Sequence, residues 1–412
     1  MPSITWSLPI EQVNDVVTLF RDFACARVPS TEKPLPGWVL RVAPIAHAAL
    51  QQLLPRNALE AKAKFTLKHV ALSIYASYHT EASMEEAVRL MPQRSPMWYK
   101  IRNGWCDVEN DIFRAPLISS SLCGMILQHK DDYKTNHIKL LKEQVWFDCK
   151  EDPSVPMDAF GIRALQRGTA MEPSIMEYTK CIVQRECQLA MPKCSVEIQE
   201  VGLHICLSDP WMAASPDGIV TCYDPDTSIL YRTGLEMKCR AIRPSVPYPV
   251  IKPEYYDQCQ HTMALLGFEE YIFVCHGSES FGFETYTFDK KAWERHYEAL
   301  KAYYWKKLWP RVVLRALGFL DDNTIDEVSS VSVDEVAEQQ KFIPASRRRI
   351  HPTLEQLVGD CPVRDMDEVK RARWMSALRN ACASPAAADN NRNKKRQSPT
   401  TTAQLELLNA VH

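Results

Sequence analysis

Ser215-Pro216-Asp217-Gly218, followed across a hairpin by Leu235-Glu236-Met237-Lys238-Cys239-Arg240, is the stretch that decides how this chain folds. A β-strand turns successive side chains to opposite faces. Leu235, Met237 and Cys239 then share one face, and Glu236, Lys238 and Arg240 share the other. The first face is that of an ordinary core strand. The second is not, because a Glu and a Lys inside a sheet are costly unless solvated or paired. Ile219 to Tyr223 and Ile229 to Arg232 flank the turn sequence Asp224-Pro225-Asp226, so they are expected as a hairpin, with Leu235 to Ala241 following as a third strand.

That hairpin is able to bring Asp217 next to Glu236. A divalent cation is a fitting partner for two such carboxylates, since Mg²⁺ takes one or two of them together with waters and phosphate oxygens. Asp217, Glu236 and the backbone carbonyl of Met237 would make a half-open site for it. Lys238 would hold or deprotonate an attacking water and offset charge in the transition state. The same residues also fit a Pro-Asp-Gly turn beside a solvated Glu–Lys ladder. Taken alone, these two segments leave both readings open.

Working outward, Tyr255 to Leu266 reads as a helix closed by Gly267. Tyr271 to Cys275 and Phe283 to Phe288 read as strands, and Lys290 to Leu308 as an aromatic-rich helix ending before Pro310. Strands and helices mixed in this order predict an α/β core over residues 93–318, a mostly antiparallel sheet covered by helices. Upstream, Gln12 to Phe23, Val42 to Leu54 and Leu59 to Tyr78 carry apolar residues at helical spacing, so residues 1–92 are expected as an accessory helical domain. Downstream, residues 319–412 form an extension that is acidic from Asp321 to Glu338. It carries the basic clusters Arg347-Arg348-Arg349 and Asn393-Lys394-Lys395-Arg396, and is expected to be disordered beyond about Ala383. Either basic cluster suits nuclear import, and the first also suits a DNA-facing patch.

Composition narrows the function classes. The chain has 412 residues, 46% of them hydrophobic, enough for a sizeable core. No apolar run approaches the roughly 18 to 20 residues of a membrane helix, and Met1 to Pro9 lacks the basic start of a secretory signal. A soluble, intracellular protein with no membrane partner is expected. The 14 cysteines show no Cys-x-x-Cys pair and are expected as reduced, mostly buried thiols. His204, His261 and His276 lack ligand spacing and read as structural. A net charge of −2 means that a nucleic-acid enzyme of this composition must concentrate its positive charge locally.

An Asp followed by a strand bearing Glu-x-Lys resembles the PD-(D/E)XK nuclease signature. Further segments resemble the branch of it that holds phage lambda exonuclease, the YqaJ-type viral recombinases and the alkaline exonucleases. Gly168-Thr169-Ala170-Met171-Glu172 is similar to that branch's Gly-x-x-x-Glu segment, which implies Glu172 as a third acidic group at the metal. Pro173 directly after it suggests a kink, or a helix beginning there. Tyr255-Tyr256-Asp257-Gln258-Cys259-Gln260 is similar to the Tyr-x-x-Gln-x-Gln helix, which implies Gln258 at the scissile region and leaves Gln260 structural. Ser95-Pro96-Met97-Trp98-Tyr99-Lys100-Ile101-Arg102 is similar to the segment in which a Trp precedes an Ile-Arg pair. In the family a basic group and a hydroxyl seven residues on cradle a 5′-phosphate. Arg114 and Ser121 have that spacing here, across an apparent insertion at Trp105 to Ile112, so Arg114 is preferred to Arg102 for that role.

The resemblance covers roughly residues 93–316, and its layout is most like alkaline nucleases of large insect DNA viruses. It implies a restriction-endonuclease-like core, a mixed sheet flanked by helices, with the N-terminal helical domain added. The implied activity is a 5′→3′ exonuclease degrading one strand of duplex DNA from an end, with one or two Mg²⁺ ions that Mn²⁺ would replace. It also implies a viral recombination or genome-processing role, a single-strand annealing or binding protein as partner, a possible homo-oligomer and, for a virus, the host nucleus. An endonuclease or RNA-degrading activity is the enzymatic alternative. A catalytically silent DNA-binding scaffold is the non-enzymatic one.

Overall fold

The computed structural model describes residues 34–80, 82–127, 140–146, 159–226, 228, 230–239, 251–276, 281–320 and 347–351. The helix expected over Gln12 to Phe23, the side chain of Arg240, the acidic stretch after Asp321 and the tail beyond Ala383 lie outside them.

Besides a small sheet of β3 (Ile118–Ser119), β6 (Met212–Ala214) and β5 (His204–Ile205), in that order, the centre is a six-stranded sheet. Its strands are β4 (Ser195–Gln199), β7 (Gly218–Tyr223), β8 (Leu230–Cys239), β9 (Glu270–His276), β10 (Phe281–Thr287) and β11 (Arg347–His351), in the order β11-β10-β9-β8-β7-β4. All neighbours are antiparallel except β8 and β9. That one parallel pair follows from the crossover between them, which carries the helix α8 (Pro253–Leu266). Gly267 closes that helix in a left-handed conformation, as expected.

The two faces separate as strand alternation predicts. Leu235 and Met237 of β8 bury with Val220, Val274 and Phe281 against Met171, Ile175 and Tyr178 of α7 (Ala159–Ala190). On the opposite face α8 lays Tyr256, Cys259 and Met263 over Tyr271, Phe273 and Tyr286. That face also holds Glu236, buried at 2% exposure.

Some elements depart from expectation. The strands foreseen at Ile229 to Arg232 and from Leu235 are one, because β8 is paired on both sides and Thr233 and Gly234 are drawn into its ladders with Val220 and Tyr271. Helix α7 runs through Pro173 rather than beginning there. The helix from Lys290 does not stop before Pro310. It passes from α9 (Lys290–Ala302) through a π-helical segment, Tyr303–Leu308, into α10 (Trp309–Ala316), where Pro310 falls in the first turn and its missing N–H does no harm. Leu59 to Tyr78 is two helices, α2 (Leu59–Lys64) and α3 (Leu67–Tyr78), divided where the Thr66 hydroxyl caps the second by accepting from the His69 N–H at 3.2 Å.

The largest core crosses the boundary expected at residue 92. Trp38, Val42 and Leu50 of α1 (Gly37–Leu53) and Ile74 and Tyr78 of α3 share one apolar cluster with Trp98, Phe113, Trp211, Trp305 and Trp309. The described cysteines are free thiols. No helix among the described residues is long and apolar enough to cross a membrane.

Candidate active site

β7 begins only at Gly218, which pairs with Leu235. Beyond that point, among the described residues, no strand continues on the β7 side of β8, and its backbone donors there need another acceptor. Asp217 supplies one: its Oδ2 accepts the Met237 N–H at 2.7 Å. The hairpin thus sets the Asp217 carboxylate beside Glu236 and Lys238. Burial first, and then the charge of Glu236, pushes the Asp217 carboxyl up to about 8. Lys238 donates to Glu236 Oε1 in a close ion pair. Burial works against the lysine's charge, but Glu236 and Asp217 outweigh it and raise its pKa, so it stands as an ammonium. Its Nζ lies 5.2 Å from the centre of the Tyr255 ring on α8.

Gln258 is buried three residues after Tyr255, hence on the same face of α8. Gln260 is structural, as expected: it donates to the Thr287 carbonyl at 2.9 Å and accepts from the Asp289 N–H at 2.8 Å. His261 is buried against the Ser120 hydroxyl, 3.1 Å from its Nδ1, and also fits a structural role.

Glu172 reaches the site from α7. Its carboxylate is held at 2.7 Å by Arg94, and that guanidinium also feels Asp217. Arg94 was missed in the sequence because it stands in a loop, outside any periodic pattern. Gln93, beside it, donates to the carbonyls of Val201 and Pro216, each at 2.8 Å, and so buttresses the loop that carries Asp217. Each cation therefore restrains a carboxylate: Arg94 holds Glu172 and Lys238 holds Glu236. No three acidic, His or Cys side chains among the described residues are gathered as a ready metal cage. The donor set still suits a hard divalent cation, because Asp217 and Glu236 stand together and Glu172 is near enough to add, as the smallest contribution, to the rise at Asp217.

A second polar cluster lies on α5 (Pro96–Asn103) and at the start of α6 (Ser120–Leu127). Arg102 Nη2 donates to the hydroxyls of Ser119 at 2.9 Å and Ser121 at 2.8 Å, and its guanidinium lies 4.8 Å from the centre of the Trp98 ring. Arg114, expected to partner Ser121, does not. It ends the hairpin β1 (Trp105–Asp107) and β2 (Ile112–Arg114) and is fully buried between the rings of Trp105 and Tyr78, at 4.8 and 5.4 Å, donating to the Ser77 carbonyl. The reason is in the backbone. Leu117 N–H bonds to the Arg102 carbonyl at 2.9 Å, which closes the hairpin off as an excursion and sets Arg102 beside Ser119. Tyr99 is near enough to act on both Arg94 and Arg102.

Residues 97–269 match the family model described as a YqaJ-like viral recombinase domain. Over that span, less than half of the chain, the protein is similar to the lambda-exonuclease-like family. Arg102, Glu172, Asp217, Glu236, Lys238 and Gln258 fall inside the match, whereas Gln93 and Arg94 precede it. Two solved structures are similar, both of an alkaline exonuclease (LHK-Exo) from Laribacter hongkongensis. The first is 18% identical with a TM-score of 0.34, covering 49% of this chain and 93% of that one. The second, in complex with dAMP, is also 18% identical with a TM-score of 0.34, covering 50% and 95%. No curated protein matches the chain.

Proposed function

We propose that this protein is a Mg²⁺-dependent 5′→3′ exonuclease that removes nucleotides from one strand of duplex DNA, starting at an end. One observation carries the reading: Asp217, Glu236 and Lys238 converge, with Asp217 fixed on the Met237 N–H at 2.7 Å. Glu172, Asp217, Glu236 and the Met237 carbonyl would hold the ion, which when bound polarises the phosphate and lowers the pKa of a water. Lys238, kept as an ammonium by its neighbours, orients the attacking water and offsets charge in the transition state rather than acting as the base. Gln258, on the face of α8 that meets Lys238, positions the scissile phosphate or the water.

The preference for ends rests on the second cluster. A guanidinium fork with two hydroxyls suits a phosphate carrying two negative charges, and only a terminal phosphate carries two. Arg102, Ser119 and Ser121 are therefore assigned to the 5′-phosphate. A role in viral recombination is proposed on the family's description alone, and a single-strand annealing protein is the partner such a role would call for.

The deciding assay compares linear 5′-phosphorylated duplex with covalently closed circles, with and without Mg²⁺. Linear duplex should be degraded only with the ion, and circles should be spared. Lys238→Ala should lower kcat by about a hundred- to a thousandfold, as loss of one preorganised transition-state donor does, while still binding duplex. Cutting of circles at the same rate would sink the exonuclease reading. Undiminished cleavage by Lys238→Ala would sink the site assignment.

A further inference from the structure

Arg94 is bound into the acidic site more closely than a surface arginine has reason to be. Its Nη2 lies 2.7 Å from Glu172 Oε1, and Asp217 also stabilises its charge. Its backbone is left-handed at φ 63, a conformation disfavoured for any residue with a Cβ and often kept where a side chain must be aimed. Gln93 holds the same loop against Pro216, directly before Asp217. The loop between α4 (Ala82–Arg89) and α5 thus contacts both Glu172 and the Asp217 segment. The guanidinium side chain is 45% exposed, and Tyr99 is near enough to act on both it and Arg102.

We infer that Arg94 is a stand-in cation, which neutralises Glu172 before a divalent ion arrives and then turns to a DNA phosphate. The argument is one of charge balance, and it rests on the metal reading above. Glu172 and Glu236, with Asp217 beside them, need positive charge close by. Lys238 supplies one charge and Arg94 another. An incoming ion displaces Arg94 from Glu172, and the freed guanidinium has phosphate as its natural next partner. Arg94 therefore opposes metal binding by the free protein and links ion occupancy to the grip on DNA.

The test is Mn²⁺ binding to the full chain by calorimetry at pH 8 without DNA, so that cleavage plays no part. Arg94→Gln should bind Mn²⁺ about three- to tenfold more tightly than the wild type, because a competing charge has gone. Arg94→Lys, which keeps the charge, should stay near the wild type. In a Lys238→Ala background, Arg94→Gln should weaken duplex binding about fivefold with Mn²⁺ present and leave it unchanged without the ion. Unchanged or weaker Mn²⁺ binding by folded Arg94→Gln would overturn the inference, as would Arg94→Lys binding as tightly as Arg94→Gln. An equal loss of DNA affinity with and without Mn²⁺ would overturn the handover to phosphate. If the wild type binds no Mn²⁺, the metal site itself is disproved, and the role of Arg94 falls with it.

Discussion

Arg102 rests one face of its guanidinium on Trp98 and bonds two hydroxyls, whereas Arg114 is enclosed by Trp105 and Tyr78. The two residues should respond differently to replacement. Arg102→Gln keeps a polar side chain but loses the charge and the fork, so it should raise KM about tenfold for 5′-phosphorylated ends, a loss of about 1.4 kcal/mol. It should also erase the preference over 5′-hydroxyl ends. Arg114→Ala leaves a void and an unmet Ser77 carbonyl in the core, and should cost about 2–4 kcal/mol of stability. Below its lowered melting point, that variant should still discriminate 5′-phosphate. A stable Arg114→Ala protein that had lost the discrimination would return the grip to Arg114. The confusion between them is instructive: the seven-residue spacing from Arg114 to Ser121 is met by chance across a hairpin, and linear spacing does not show which hairpins are excursions.

Between elements, α6 and α8 pack backbone close to backbone. A Cβ placed on Gly124 would lie 2.2 Å from the Glu254 carbonyl oxygen, and nearby Ser120 joins His261 and Thr262 at 3.1 and 2.9 Å. One helix begins with Ser120 and Ser121 and the other carries Tyr255 and Gln258, so the contact sets the grip against the cleavage site. Gly124→Ala should force the helices apart, cost about 1–3 kcal/mol, and lower kcat/KM by more than that loss of folded protein explains. Gly168→Ala is the control. Nothing lies within 4 Å of its would-be Cβ in the α7 interior, so it should gain about 0.5–1 kcal/mol. A Gly124→Ala protein with unchanged melting point and kcat/KM would contradict this packing argument. The two helices differ in how legible they were. α8 was readable because Gly267 and its amphipathic pattern mark its end. The strands of the site were readable because alternation separates Glu236 and Lys238 from Leu235 and Met237. The partner of α6 was not readable, since a small residue in an apolar run shows that something comes close but not what.

At the scale of the molecule, the same limit explains the core. Apolar spacing showed that α1 and α3 bury a face, and packing shows that the face lies against Trp305 and Trp309, from the far side of the chain. The buried titratable groups then couple this whole body to pH. Burial raises Asp217 to about 8, and raises Asp257 to about 7 with help from Glu254; burial, with His296, lowers His261 to about 3. For the two acids the folded value lies above the unfolded value of 3.8, so the folded state holds more protons between the two values and stability falls as pH rises through that interval. For His261 the folded value lies below the unfolded value of 6.5, so its contribution is full above 6.5 and is lost as pH falls toward 3. Between about pH 4 and 6.5 these slopes oppose one another. Above about 6.5 only the acids remain, and the metal-free protein should lose melting temperature steadily up to about pH 8. Mn²⁺ favours ionised Asp217 and should restore that residue's share, leaving the smaller decline due to Asp257. Thermal melts from pH 6.5 to 8.5, with and without Mn²⁺, measure both effects. A metal-free melting temperature that stays level or climbs across that range would mean that Asp217 and Asp257 enter the folded state already ionised.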